Sequence, residues 1–115
     1  MSTVSLTLDE IFDLAKKTLL VNGCDDETAS ILSDLIRNAE RDGSLSHGLF
    51  RLPAYVSGLK SGKINGKGKP EVQKVSTSVI KVKGNNCLAP VVLSKGLPEL
   101  AKAAKENGVA VLAIN

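Results

Sequence analysis

The spacing of apolar residues changes once along this chain of 115 residues, and the change divides the chain in two. Up to residue 62, apolar residues recur at the three- and four-residue intervals of amphipathic helices. From residue 72 they alternate as in strands, with one helical stretch between. The segment 63–71 is rich in glycine and lysine and has no apolar period, which is typical of a linker. The pattern predicts a helical domain at 1–62 and an incomplete α/β domain at 72–115.

Local signals mark two helices in the first domain. Thr7 and Glu10 have the spacing of a capping box, which predicts the start of the first helix. Asn22-Gly23 is expected to end it, because glycine accepts the left-handed conformation of a helix C-terminus. Asp25-Asp26-Glu27 places acids where the dipole of a second helix favours them, and Asp42-Gly43 closes that helix. A short turn between two such helices predicts an αα-hairpin.

A third helix is predicted from apolar residues spaced by three and four, namely Leu49, Leu52, Val56 and Leu59. Pro53 lies inside this pattern, so the helix either kinks there or begins near it. Ser46 is a favourable N-cap residue. We predict that the helix begins near Ser46, which completes a three-helix unit.

The second domain reads as strand, strand, helix and strand. Weak strand character at 72–75 is followed by a clearer strand at 78–83, a helix at 91–107 and a strand at 109–114. The last strand is almost wholly apolar, and such strands normally lie inside a sheet with both faces covered. Because the chain ends one residue later, we expect it to be the front part of a longer protein.

Charge is distributed unevenly and raises the possibility of an anionic partner. Residues 1–55 carry a net charge of −4, whereas residues 56–95 carry +7. Lysines neutralise phosphates, so a nucleic-acid-binding module is one alternative. Single-strand binding also needs aromatic stacking platforms, and the chain has no aromatic residue after Tyr55. We therefore expect no nucleic-acid partner.

Cysteine and hydropathy patterns indicate the cellular setting. Cys24 and Cys87 are far apart and the chain has one histidine, so no metal-ligand spacing is present. No apolar run approaches the roughly 20 residues of a membrane span, and no signal peptide is apparent. These features predict a protein of the reducing cytoplasm that has no membrane partner.

The strongest chemical pattern surrounds His47. On a continuous helix that turns about 100° per residue, Arg51 and Tyr55 would lie beside His47 on one face. Arginine can grip a carboxylate through two parallel hydrogen bonds, and a histidine titrating near neutral pH can exchange a proton with the adjacent substituent. Ser46 could orient or relay that proton. By spacing alone, a capping or surface histidine and a solvated arginine remain alternatives.

The run of residues 39–56, Ala-Glu-Arg-Asp-Gly-Ser-Leu-Ser-His-Gly-Leu-Phe-Arg-Leu-Pro-Ala-Tyr-Val, resembles the signature of the malate/L-lactate dehydrogenase-like oxidoreductases. Within that family it is most similar to the Δ1-piperideine-2-carboxylate/Δ1-pyrroline-2-carboxylate reductases. The resemblance continues at residues 57–62, 65–66, 70–72 and 84–86 and in the helix–strand pair at 102–114. It implies an α/β cofactor-binding domain, different from the Rossmann fold, that begins at residue 72.

The resemblance also implies site roles. His47 matches the family's proton donor, Ser46 the serine that works with it, and Arg51 the arginine that holds the substrate carboxylate. The implied reaction is hydride transfer from NADPH or NADH to a cyclic 2-imino carboxylate, giving L-pipecolate or L-proline, in a homodimer when full length. The residues that bind the cofactor are expected largely beyond Asn115. A malate/lactate-type 2-hydroxy acid dehydrogenase and an inactive truncated remnant are the alternatives.

Overall fold

In a computed structural model of the protein, residues 2–115 are described. They form two compact units, one ending at Gly66 and the other spanning Lys67–Asn115. The division falls inside the segment 63–71. None of the helices in the described part of the chain has the length and apolarity required to cross a membrane.

Helices build the first unit. Two α-helices, α1 (Leu8–Val21) and α2 (Asp26–Arg41), are followed by two short 3₁₀ turns, at Leu45–His47 and Leu49–Arg51. The third α-helix, α3, spans Leu52–Lys60. The predicted three-helix unit is therefore confirmed in its number of α-helices.

The predicted ends of α1 and the start of α2 are confirmed by their caps. Thr7 Oγ1 accepts a hydrogen bond from the Glu10 backbone N–H, and the Glu10 carboxylate accepts one from the Thr7 N–H, both at 3.1 Å. Asp25 caps α2 by accepting from the Thr28 N–H at 2.9 Å. Gly23, just after α1, has a φ of +106°, a backbone conformation that favours glycine. Local chemistry within four residues determines these boundaries.

The core of the first unit lies between α1 and α2. Its apolar side chains are buried and come from one face of each helix: Ile11, Ala15, Leu19, Ala29, Leu32 and Ile36. Burying a leucine or isoleucine side chain stabilises a fold by about 1.5–3 kcal/mol. Arg37 adds a cation–π contact with Phe12, with 4.6 Å between the guanidinium carbon and the ring centroid. These contacts hold α2 firmly in place.

The prediction that the third helix begins near Ser46 is wrong. The α-helix begins at Leu52, with Pro53 in its first turn, and Ser44, not Ser46, is the N-cap of the first 3₁₀ turn, Leu45–His47. Gly48 interrupts any continuous helix because its backbone is not helical, with φ −91° and ψ −136°. Proline is favoured in a first helical turn, where its missing N–H costs nothing. Of the two alternatives stated for Pro53, a kink or a helix start, the structure shows a helix that starts near it.

Residues 63–66 pack on the first unit. The Ile64 N–H donates to the Gly58 carbonyl at 3.1 Å, and the Asp25 N–H donates to the Gly66 carbonyl at 2.9 Å. Gly66 is buried. Backbone hydrogen bonds therefore tie this segment to both the α1–α2 turn and α3.

The second unit is a three-stranded sheet with one helix. Its elements are β1 (Glu71–Ser76), β2 (Val79–Lys83), α4 (Ala89–Asn107) and β3 (Val111–Ile114). The strand order is β1-β2-β3; β1 pairs antiparallel with β2, and β3 pairs parallel with β2. The predicted strands and helix are confirmed.

One face of this sheet packs against α4. Ile80 and Val82 of β2 are buried there, and α4 contributes Val91, Val92, Gly96 and Ala103. Apolar strands normally have both faces covered, but the final strand does not in this structure. Val111 is 57% and Ile114 46% exposed, because β3 pairs only with β2 among residues 2–115 and α4 lies on one face.

Candidate active site

Ser46 and His47 form a hydrogen-bonded pair on the first 3₁₀ turn. Ser46 Oγ lies 3.0 Å from His47 Nδ1, and both residues are exposed. A hydroxyl can donate to a neutral imidazole nitrogen or accept from a protonated one, so Ser46 can serve both protonation states of His47. Since Nδ1 is engaged, Nε2 is the nitrogen available to a ligand.

His47 lines a cleft of about 430 Å³ in the first unit. The walls come from α2, the following loop, the first 3₁₀ turn and α3: Leu35, Asn38, Ala39, Asp42, Ser44, His47 and Tyr55. The volume lies in the range of small-molecule sites. Tyr55 therefore shares a cleft with His47, although the two residues do not belong to one continuous helix.

An ion pair occupies the rim of this cleft. Arg41 Nε donates to Asp42 Oδ1 at 2.9 Å. This hydrogen bond, with the positive charge of Arg41, lowers the pKa of the Asp42 carboxyl below its ordinary value despite some desolvation. Asp42 is therefore a carboxylate at neutral pH, and its charge is balanced by Arg41. An anionic ligand would need a further cation to bind there.

Arg51 lies at the end of the second 3₁₀ turn, is exposed, and is not among the residues that line the cleft. The structure therefore brings Ser46, His47 and Tyr55 together, but not Arg51. The angles predicted for a continuous helix do not apply, because the α-helix begins only at Leu52. Within the described residues, Arg51 forms no ion pair.

Glu40 touches this site and was missed by the reasoning from sequence. Its Oε1 accepts a hydrogen bond from the Leu49 backbone N–H at 2.8 Å. A Cβ added to Gly48 would lie 2.6 Å from Glu40 Cδ and 2.8 Å from Glu40 Cγ, so a larger residue at position 48 requires the Glu40 side chain to move. One feature of the sequence could have pointed to Glu40: it is an acid in the last turn of α2, where the helix dipole disfavours negative charge.

Comparison with known proteins defines the class to which this fold and site belong. The family model described as malate/L-lactate dehydrogenase matches residues 6–115. The chain therefore belongs to the malate/L-lactate dehydrogenase family, as its Ser-His-Gly region predicted. The relatives that it matches are reductases and dehydrogenases, that is, oxidoreductases.

Individual relatives show how much of such a protein this chain represents. It is 37% identical over 112 residues to a Δ1-pyrroline-2-carboxylate/Δ1-piperideine-2-carboxylate reductase of Pseudomonas syringae pv. tomato, covering 97% of this chain and 33% of that protein. It is also 37% identical over 107 residues to a malate/(S)-sulfolactate dehydrogenase of Methanothermus fervidus, covering 93% and 32%. The crystal structure of a Δ1-piperideine-2-carboxylate reductase from Pseudomonas syringae superimposes with a TM-score of 0.93 at 36% identity, covering 98% of this chain and 34% of that one. The chain thus spans about a third of the length of the relatives that it matches.

Proposed function

We propose that this chain supplies the proton donor and the carboxylate anchor of an NAD(P)H-dependent oxidoreductase that reduces a cyclic 2-imino carboxylate. The observation that carries the proposal is the Ser46–His47 hydrogen bond of 3.0 Å at a small-molecule cleft. The similarity to a reductase named for Δ1-pyrroline- and Δ1-piperideine-2-carboxylate supports this substrate class. The products would be L-proline and L-pipecolate.

His47 would provide the proton of this reaction. Reduction of the C=N bond adds a hydride to C2 and a proton to nitrogen, and a reduced nicotinamide cofactor supplies the hydride when bound. A protonated His47 donates through Nε2, while Ser46 Oγ accepts from Nδ1–H. Once His47 is neutral, the same hydroxyl can donate to Nδ1. Such general acid catalysis contributes roughly 10²–10⁴-fold to a rate.

Arg51 would hold the substrate carboxylate. Its guanidinium is exposed and has no acidic partner among the described residues, so binding a carboxylate breaks no existing ion pair. Two parallel hydrogen bonds between guanidinium and carboxylate fix orientation as well as position. Because Arg51 lies outside the lining of the cleft, we propose that the substrate spans from the cleft, at His47, to the guanidinium.

We propose that the nicotinamide cofactor is bound largely by residues outside this chain. Two clefts of the second unit lie along the sheet and are lined by charged and polar side chains that include Glu71, Lys81 and Lys83. The segment that leads into α4, Gly84-Asn85-Asn86-Cys87-Leu88, lacks the glycine spacing that brings a backbone close to phosphates. The residues that bind NADPH or NADH are therefore proposed to lie outside this chain.

The second unit is proposed to open a cofactor domain of non-Rossmann topology. An antiparallel β1–β2 hairpin precedes the parallel β2–α4–β3 unit, whereas a Rossmann domain opens with parallel strands. We further propose a homodimer for the full-length enzyme. The cytoplasm is the proposed location, since Cys24 and Cys87 are thiols rather than a disulfide.

A 2-hydroxy acid dehydrogenase is the second candidate. The malate/(S)-sulfolactate dehydrogenase of Methanothermus fervidus matches this chain at the same 37% identity as the imine reductase, over 107 residues instead of 112. The same Ser46–His47 pair could exchange a proton with a hydroxyl oxygen instead of an imine nitrogen. The two candidates share the roles of Ser46, His47 and Arg51 and differ in the substrate's reacting group.

The test compares this chain alone with a chimera. In the chimera, residues 1–115 replace the matching third of the Pseudomonas syringae reductase. Oxidation of NADPH and NADH is measured with Δ1-piperideine-2-carboxylate, Δ1-pyrroline-2-carboxylate and oxaloacetate, with the parent reductase as reference. We expect the chimera to reduce an imine substrate and His47→Ala to lower kcat by roughly 10²–10⁴-fold.

Two results would contradict the proposal. One is a chimera with the circular dichroism and oligomeric state of the parent but no turnover of any substrate, which would favour an inactive remnant. The other is near-normal kcat in His47→Ala. A chimera that reduces only oxaloacetate would support the hydroxy acid dehydrogenase.

A further inference from the structure

We infer that Glu40 is the positioning residue of this site, because its side chain fixes the backbone that carries both His47 and Arg51. The inference rests on the proposed function for the roles of those two residues. Glu40 belongs to the last turn of α2, and Leu49, which donates to it, lies between His47 and Arg51 in sequence. Glu40 therefore acts through the backbone of this segment.

Two hydrogen bonds connect the segment that carries the site, residues 44–51, to α2. At its start, the Ser44 N–H donates to the Ala39 carbonyl at 2.9 Å. In its middle, the Leu49 N–H donates to Glu40 Oε1 at 2.8 Å. Two separated attachments define both the position and the orientation of the 3₁₀ turn between them. The Glu40 bond is the attachment that follows His47 and precedes Arg51.

Gly48 shows that the segment and the Glu40 side chain fit closely. Gly48 is buried, and the space that a Cβ would need is filled by the Glu40 carboxylate, Cδ and Cγ. The carboxylate therefore contacts the backbone of Gly48 and accepts from the next N–H. This close approach explains why glycine follows His47: any side chain would displace the carboxylate from Leu49.

Glu40 itself is held by a rigid helix. Ile36, one turn earlier in α2, is 0% exposed and packs in the core of the first unit. A hydrogen bond to a carboxylate is stronger than one between neutral groups. The acceptor therefore belongs to a helix that is packed in the core, and its hydrogen bond restrains the turn relative to the wall of the cleft.

The first experiment needs no catalytic activity and uses the 115-residue chain. Hydrogen exchange of the Leu49 amide is followed by NMR in Glu40→Ala, Gly48→Ala and the double variant. We expect Glu40→Ala to accelerate exchange of this amide by roughly 10- to 100-fold, because its acceptor is lost. Gly48→Ala should do the same by displacing the carboxylate, and the two changes together should add little to either one. Unchanged exchange in Glu40→Ala, or fully additive effects, would overturn the inference.

The second experiment measures catalysis in the chimera described above. We expect Glu40→Ala to lower kcat/KM by roughly 10- to 100-fold, the order of loss that follows from misplacing reacting groups by about 1 Å. Both a lower kcat and a higher KM are expected, since His47 and Arg51 lie on the same segment. Loss of folded enzyme alone would lower the apparent kcat and leave KM unchanged.

Conservative and control variants complete this test. Glu40→Gln keeps an oxygen that can accept from Leu49, so it should recover kcat/KM to within about threefold of wild type. Glu99→Ala, at an exposed position of α4, should leave activity unchanged. If the chimera is active and Glu40→Ala behaves as wild type, the inference is wrong while the proposed function stands. If the chimera is inactive, the proposed function fails, and the Leu49 exchange result still decides the inference.

Discussion

Replacing Gly66 with alanine should destabilise the first unit through a steric clash. The added Cβ would lie 2.6 Å from the Gly23 carbonyl oxygen, 2.8 Å from Leu59 Cδ2 and 3.0 Å from Cys24 Cα. Two of these atoms belong to the backbone and cannot rotate away. Overpacking of this kind costs about 1–3 kcal/mol. If residues 63–66 moved away to relieve the clash, the 2.9 Å hydrogen bond from the Asp25 N–H to the Gly66 carbonyl would weaken, which costs about 0.5–1.5 kcal/mol.

A compensating effect reduces this loss. Alanine restricts the unfolded chain more than glycine does, which stabilises the fold by about 0.4–1 kcal/mol. The expected net loss in the free energy of unfolding is therefore about 1.3 kcal/mol, the difference between the midpoints of these two ranges.

Urea unfolding followed by far-ultraviolet circular dichroism measures this loss. Gly62→Ala is the comparison for backbone strain without a clash, because Gly62 has open space around it and a φ of +78° that alanine adopts only at a cost of about 1–2 kcal/mol. Amide exchange in α1 and α2 assigns the destabilisation to the first unit. If Gly66→Ala is no less stable than wild type, residues 63–66 do not pack against the α1–α2 turn and this reasoning is refuted.

Three further predictions concern pH, capping and substrate binding. Burial, aided by the charge of Asp25, raises the pKa of the Cys24 thiol, so the unfolded chain releases this proton at a lower pH than the folded one. The free energy of unfolding should therefore fall as pH rises above about 8.5. Urea titrations of Cys24→Ala at several pH values should lack this fall. If the variant shows the same dependence on pH as wild type, Cys24 is not its cause. Thr7→Ala should cost about 1 kcal/mol, measured from the urea midpoint, because it leaves the Glu10 N–H without its acceptor at 3.1 Å. In the chimera, Arg51→Ala should mainly raise KM, by a factor equivalent to about 2–5 kcal/mol, and an unchanged KM would exclude the carboxylate role.

Sequence patterns predicted the helices and strands well where their determinants are local. The Thr7–Glu10 capping box and the glycine at position 23 act over a few residues, and the structure places the ends of α1 there. Periodicity likewise predicted α4 and the three strands. The family resemblance is also local in origin, since it is concentrated in the Ser-His-Gly segment, and the comparisons confirm it.

One prediction failed because it depended on a neighbour distant in sequence, and the exposure of β3 likewise depends on which elements adjoin it. The apolar spacing of the third helix could not reveal that Gly48 breaks the helix, because that break accompanies a contact with Glu40 on α2. An apolar strand is buried only if other elements cover it. Among residues 2–115, the main contacts of β3 are with β2 and α4, and Val111 is exposed.

The sequence by itself determined the secondary structure apart from the start of the third helix, and it determined the family and the adjacent Ser46–His47 pair, because caps, periods and motifs are properties of neighbouring residues. Only the tertiary structure decided that Tyr55 shares the cleft with His47, that Arg51 does not line it, and that Glu40 bonds to the backbone nine residues away. The physical reason is that the packing of α1 against α2 determines where the last turn of α2 lies. That position determines which backbone groups the Glu40 carboxylate can reach.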